Sequence, residues 1–176
     1  MLGRYHDGAL PTFRAAGARA AGAAAPPLPD LLSYLRGEWQ VARRLTDHRS
    51  GTSGEFAGTA SYRPLDSTAS FRTPDSTAGL AYREKGELRF GDHLGPASRE
   101  LIYLVAEEGG LDVRFSDGRE FYRLDLSGGR WTAGHPCGAD HYRVTGELLG
   151  PDRYAERWQV TGPAKNYEID TTLVRR

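Results

Sequence analysis

LDVRFSDGREFYRLDL, residues 111–126, is the stretch that decides the fold. Leu111, Val113 and Phe115 alternate with polar residues, Ser116-Asp117-Gly118 interrupts them, and Glu120 to Leu126 takes up a second run. Asp-Gly between two such runs predicts a β-hairpin, because a tight turn between right-twisted strands needs positive φ. The same period of two extends upstream. Trp39, Val41 and Leu45 share one face against Gln40, Ala42, Arg44 and Thr46. Phe56, Gly58, Ala60 and Tyr62 follow, then Leu80 and Tyr82, then Leu88 and Phe90. Arg99 to Val105 is apolar on both faces, as in a strand covered on each side. Downstream, a second turn at Ser127-Gly128-Gly129 precedes Trp131. The last sets are Tyr142, Val144 and Leu148; Tyr154, Trp158 and Val160; and Tyr167, Ile169, Thr171 and Leu173. No helical pattern between these runs could serve as a parallel crossover, so they predict about nine to ten antiparallel strands in a meander. Rolling that sheet into a barrel buries one face of every strand and removes the exposed edges; a two-sheet sandwich is the alternative.

The remainder of the 176-residue chain adds little besides one helix. Residues 1–28 are rich in Ala, Gly, Pro and Arg and read as a flexible extension, leaving 29–176 as a single β-barrel domain. Asp30 is placed to cap a short amphipathic helix carrying Leu31, Leu32, Tyr34 and Leu35, with Gly37 ending it. The 23 basic and 23 acidic residues cancel, so no positive field favours nucleic acid. No apolar run is long enough to span a bilayer, and no membrane association is expected. The run AAGARAAGAAAPP (15–27) lacks the large aliphatic core of a signal peptide and reads as uncleaved. A single cysteine, Cys137, excludes a disulfide framework and a multi-cysteine zinc site and suits a reducing, cytoplasmic setting.

A short helix followed by Gly37-Glu38-Trp39 at the head of an all-β chain resembles the opening of the calycin barrels: lipocalins, fatty-acid-binding proteins and the nitrobindin-like group. A series of segments carries a more specific resemblance. They are Tyr82-Arg83-Glu84-Lys85-Gly86, Asp117-Gly118-Arg119-Glu120-Phe121, His135-Pro136-Cys137-Gly138-Ala139-Asp140-His141-Tyr142 and Gly162-Pro163-Ala164-Lys165-Asn166-Tyr167. In that order they are similar to the uncharacterised DUF6314 family, over about Leu31 to Arg176, with Asn166 where the family's pattern has Asp. The resemblance implies a calycin-like barrel and carries no activity with it.

Phase identifies candidate site residues, since a polar residue in register with apolar neighbours points into the barrel. Arg43, Glu84, Asp140, Glu156 and Lys165 fall in the inward phase, and Arg99 shares a phase with Tyr103. Buried charges must pair, reach water or meet a ligand, so the set is either a structural ion-pair network or a means of orienting a substrate. Pro136 and Gly138 suggest a rim loop holding His135 and Cys137 beside the mouth, with Asp140 and Tyr142 entering it and His141 pointing out. His135 suits either a rim histidine bonded to backbone or a general acid/base. Cys137 fits a small buried residue better than a nucleophile. His135, Cys137, Asp140 and His141 are competent ligands, but their spacing matches no compact zinc signature, and no metal is expected. Tyr62, Tyr82, Tyr103, Trp39 and Trp158 at strand spacing read as core rather than as a stacking platform.

Together these features lead us to expect a barrel that encloses a small apolar or amphipathic organic molecule. Arg43, Arg99, Tyr103, Tyr82, Trp158 and Cys137 would contact it. Elbow, phosphate-loop and dinucleotide motifs are missing, and no cofactor is expected. Any catalysis would then be acid/base isomerisation, cyclisation or dehydration, with His135, Asp140, Tyr142, Glu84 and Lys165 as the candidate groups. The alternatives are a nitrobindin-like haem barrel using His135 or His93, and a filled, non-catalytic partner module. A homodimer is compatible with the sequence.

Overall fold

Helix α1 spans Leu28–Leu35 in the computed structural model, which describes residues 28–65, 78–106, 110–125 and 129–176. The expected N-terminal extension, up to residue 27, lies outside the described residues, as do Ser127 and Gly128 of the second turn. Asp30, expected to cap the helix, falls instead within its first turn, because the helix begins at Leu28. Leu31 and Leu35, one turn apart on one face, are buried, and the chain leaves the helix for the first strand at Gly37. No helix among the described residues is long and apolar enough to cross a membrane.

Ten strands follow: β1 Gly37–Asp47, β2 Thr52–Pro64, β3 Gly79–Phe90, β4 His93–Val105, β5 Leu111–Phe115, β6 Glu120–Leu124, β7 Arg130–Cys137, β8 Asp140–Gly150, β9 Arg153–Thr161 and β10 Asn166–Arg175. They form one antiparallel sheet in the order β6-β5-β4-β3-β2-β1-β10-β9-β8-β7. Nearly all chain neighbours are therefore sheet neighbours, and the first and last strands pair with each other, Val41 opposite Leu173. The result is a nearly closed barrel whose seam lies between β6 and β7. Asp117-Gly118 makes the expected hairpin, with Gly118 at φ 89° and the amide of Phe115 donating to the Arg119 carbonyl at 2.9 Å.

Close approach of β2 and β3 tightens the wall. Gly58 pairs with Gly86, and a Cβ on either would come within 2.3 Å of a carbonyl oxygen of the facing strand. Only glycine permits that approach. Both faces of β4 are buried between Leu101 and Leu104, as its apolar run predicts. Leu101 and Tyr103 join the central core, whereas Ile102 and Leu104 lie on the outer wall.

One end of the barrel is closed. Trp39, fully buried, donates its indole N–H to the Leu35 carbonyl at 2.7 Å and meets the Tyr154 ring edge-on at 5.2 Å. Tyr34 of α1 donates to the carbonyls of Gly150 and Arg153 in the β8–β9 turn region, both at 2.9 Å. Arg175, near the end of β10, lies over the Trp39 ring at 4.4 Å and fastens the helix through the Arg36 carbonyl at 2.9 Å. The core residues Tyr62, Tyr82 and Tyr103 fill the space behind Trp39. The hydroxyls of Tyr62 and Tyr154 bond each other at 2.6 Å.

Candidate functional site: a charged floor beneath an aromatic mouth

Above the tyrosines, period-two phase brings Arg43 from β1, Glu84 from β3, Arg99 from β4 and Glu156 from β9 into the lumen. Arg43 grips Glu84 with two parallel bonds, Nη1 to Oε1 at 2.8 Å and Nη2 to Oε2 at 2.7 Å, and its Nε donates to the Thr171 hydroxyl at 2.9 Å. Tyr82 donates to Glu84 Oε2 at 2.5 Å, and Arg99 Nη2 reaches the same oxygen at 3.4 Å. Burial alone would raise the Glu84 carboxyl, but the Arg43 fork, the Arg99 charge and the Tyr82 hydroxyl outweigh it and hold the pKa below the ordinary value. Glu84 is thus an ionised anchor, locked in place by its donors.

Glu156 behaves oppositely. It is buried, it accepts from the Tyr122 hydroxyl at 3.4 Å, and burial raises its pKa against the opposing charges of Arg99 and Arg43 and the Trp158 indole. A raised folded-state pKa means the native protein holds this proton after the unfolded chain has released it. The associated stability is complete below the unfolded value, about 4.3 for glutamate, and is lost as pH rises through the folded value. Glu156→Gln should therefore melt higher than the parent at pH 8 and alongside it at pH 4, as thermal denaturation at the two pH values will show. Equal melting of the two proteins at pH 8 would mean that Glu156 ionises without penalty.

The other end of the barrel is the mouth, ringed by the turns after β1, β3, β5, β7 and β9. Here the inward-phase residues Leu88, Ala97, Phe115, Tyr142 and Ile169 are only partly buried, as is Phe121 of β6. Phe121 stacks on Trp158 with centroids 5.1 Å apart and planes 4° from parallel. The His135 ring stands edge-on to Phe121 at 5.4 Å and lies 6.0 Å from Tyr142. A register shift between Val113 and Arg114 leaves Phe121 as an extra residue, so that Phe121 and Tyr122 both reach Trp158.

At the rim, Lys165 donates to Asp140 at 2.6 Å and to the Tyr142 hydroxyl at 3.0 Å. These bonds, Asp140 first, hold the ammonium well above its ordinary range, so Lys165 remains a cation. Asp140 in turn lies against Gly162 of the β9–β10 turn, where a Cβ would collide with its carboxylate.

The site residues expected from sequence thus fall into three groups. Arg43, Glu84 and Arg99 form the floor. Tyr82 and Tyr103 lie buried in the core, with Tyr82 bonded to the floor. Trp158, His135, Tyr142, Asp140 and Lys165 belong to the mouth. His135 to Tyr142, expected as a rim loop, is a hairpin, with Cys137 paired to Asp140 across a turn at Gly138, which takes φ 62°. Pro136 is accommodated because β7 ends the strand order and has no ladder on its other side. Cys137, expected to be buried, is exposed as the last residue before that turn. His141 points outward, and His93 is exposed at the β3–β4 turn. Among the described residues, no three His, Cys, Asp or Glu side chains gather as a metal site. Glu156 has the inward phase expected between Tyr154 and Trp158, yet the sequence assigns it no catalytic or binding role, and Phe121 is not singled out at all. A separate depression of about 740 Å³ lies on the outer wall over Gly58 and Gly86, lined by Gln40, Thr59, Lys85 and Ser98 among others.

A family model described as a family of unknown function, DUF6314, matches residues 35–175, and the chain belongs to this family. No curated protein matches the sequence significantly. Among solved structures, the chain is similar to the S-type phycobiliprotein lyase CPES from Guillardia theta. The TM-score is 0.67 at 10% identity, over 86% of this chain and 93% of the lyase. It also matches two designed proteins at lower TM-scores. One is a redesigned β-barrel, mFAP0, bound to DFHBI (0.40, 17% identity, 81% of this chain and 99% of that one). The other is a fluorescence-activating β-barrel designed de novo (0.43, 19% identity, 84% and 98%). The likeness to the lyase is one of fold.

Proposed function

We propose that this barrel binds one small, amphipathic organic molecule in the mouth half of its lumen. The observation that carries the proposal is the contrast between the two ends. Trp39, Tyr62, Tyr82, Tyr103 and Tyr154 fill the closed half, while Phe115, Phe121, His135, Tyr142 and Ile169 stay partly uncovered above a buried charged floor. Apolar and aromatic walls with a few convergent polar groups are what small-molecule sites share. A planar or chain-like apolar body would lie along Phe121 and Phe115, with its polar end toward Arg99 and Glu156. The lyase, by its name, acts on a phycobiliprotein, and its fold is similar to this chain's.

Nile red, a neutral solvatochromic dye, tests the site. Its emission should rise and shift to the blue in a saturable, one-to-one titration, and Phe121→Ser should weaken binding about tenfold, the equivalent of about 1.4 kcal/mol. Absence of saturation, or affinity indifferent to Phe121→Ser, would remove the mouth as a binding site.

Glu156 supports a second reading, in which the barrel promotes a proton transfer in the bound molecule, such as an isomerisation or cyclisation. A carboxyl in the inward phase whose pKa is raised by burial has the character of a general acid. Turnover of a retained ligand by the parent protein but not by Glu156→Gln, at equal occupancy, is the result required.

A further inference from the structure

Two guanidiniums share the floor, and they are not equally satisfied. Arg43 uses Nε, Nη1 and Nη2 in bonds of 2.7 to 2.9 Å. Among the described residues Arg99 makes a single hydrogen bond, 3.4 Å to Glu84 Oε2, beyond the usual N–H···O range, on an oxygen that already takes short bonds from Arg43 and Tyr82. Its Nε is buried and has no hydrogen-bond partner among the described residues. Among the described residues, no other carboxylate oxygen lies within salt-bridge distance of it. An unused N–H beside a half-used charged fork is a standing cost unless something accepts from it.

The wall is open where this happens. β5 pairs with β4 only from Leu101 to Val105, so the stretch from His93 to Glu100 has no strand on that side. The short β5–β6 hairpin forms a sill, with Phe115 opposite Leu101, and Arg99 is the next inward residue above it. It retains 35% of its side-chain exposure, against 13% for Arg43 and 2% for Glu84. Arg99 can therefore be reached from the mouth. Its guanidinium also lies over the Tyr82 ring at 5.6 Å. On the floor, Arg43 and Arg99 both draw on the one carboxylate of Glu84.

We infer that the molecule bound in this barrel carries one anionic group, a carboxylate or its equivalent, and that Arg99 receives it on the exposed part of its guanidinium. The inference rests on the mouth being a ligand site. It assigns Arg99 the selection of anionic over neutral ligands, with Phe121 and Trp158 holding the apolar body whatever the head group.

The test compares pyrene-1-carboxylic acid with its methyl ester, the same ring with and without the charge, by fluorescence titration. The parent protein should prefer the acid by at least about tenfold. Arg99→Gln should abolish that preference by weakening the acid alone, and Arg99→Lys, which keeps the charge but loses the fork, should retain part of it. Nile red affinity in both variants reports whether the site remains intact. Equal binding of acid and ester by the parent overturns the inference and leaves the binding site standing, as does a preference that survives in Arg99→Gln. Failure of acid, ester and Nile red alike overturns both.

Discussion

Glu84→Gln is expected to cost about 3–5 kcal/mol of folding free energy at neutral pH, the range for removing one partner of a buried ion pair. The side chain is 2% exposed and accepts from three residues, so the amide that replaces it strands the paired Arg43 guanidinium and takes away the carboxylate that Arg99 contacts. Arg43 cannot escape to water easily, for it is only 13% exposed and is held against Thr171 and the Phe56 ring. Urea denaturation at pH 7 measures the loss. The effect has a defined pH dependence: a carboxyl whose folded pKa is lowered contributes stability above its unfolded value, and that stability disappears as pH falls through the folded one. The gap between parent and variant should therefore be widest at neutral pH and close in acid. A gap below about 1 kcal/mol at pH 7, the level of an exposed pair, would show that the floor is solvated and that Glu84 is no buried anchor.

Trp39→Ala should cost a comparable amount, about 3–5 kcal/mol for an aromatic core truncation. Trp39 is fully buried and joins three elements at once: the Leu35 carbonyl of α1, the Tyr154 ring of β9 and the Arg175 guanidinium of β10. For a chain of this length each 1 kcal/mol moves the melting temperature by about 2–4 °C, so calorimetry should register a fall of roughly 6–20 °C. Trp39→Phe should fall between, filling part of the volume without the N–H. If Trp39→Ala melts with the parent, the helix does not close this end of the barrel.

The sequence discloses what depends on period and little of what depends on shear. Strand identity, the Asp117-Gly118 hairpin and the inward phase of Arg43, Glu84, Arg99 and Glu156 all follow from alternation along single strands, a local property. Which inward residues meet is set by strand tilt and stagger, and these carry no local signal. Glu84 reaches Arg43 two strands away, leaving Glu156 to Tyr122, and neither choice is written in the spacing. The register shift beside Arg114 hides Phe121, because alternation alone assigns Phe121 and Tyr122 to opposite faces. Cys137 departs from expectation for a related reason. Pro136 and Gly138 read as strand breakers, whereas the chain stays paired to the tip and turns over two residues, leaving the thiol in water.

The pairing of β1 with β10 has a consequence for how the molecule assembles. The sheet consists of two consecutive pleated leaves, β1 to β6 and β7 to β10, bound along one spine where the first strand meets the last. Each leaf folds from neighbours in sequence, but the spine must wait until β10 has been made, and the loop it closes is nearly the whole domain. Until then the arginines and the second glutamate have only part of their company. Fastening the spine both finishes the book and brings its inner pages face to face.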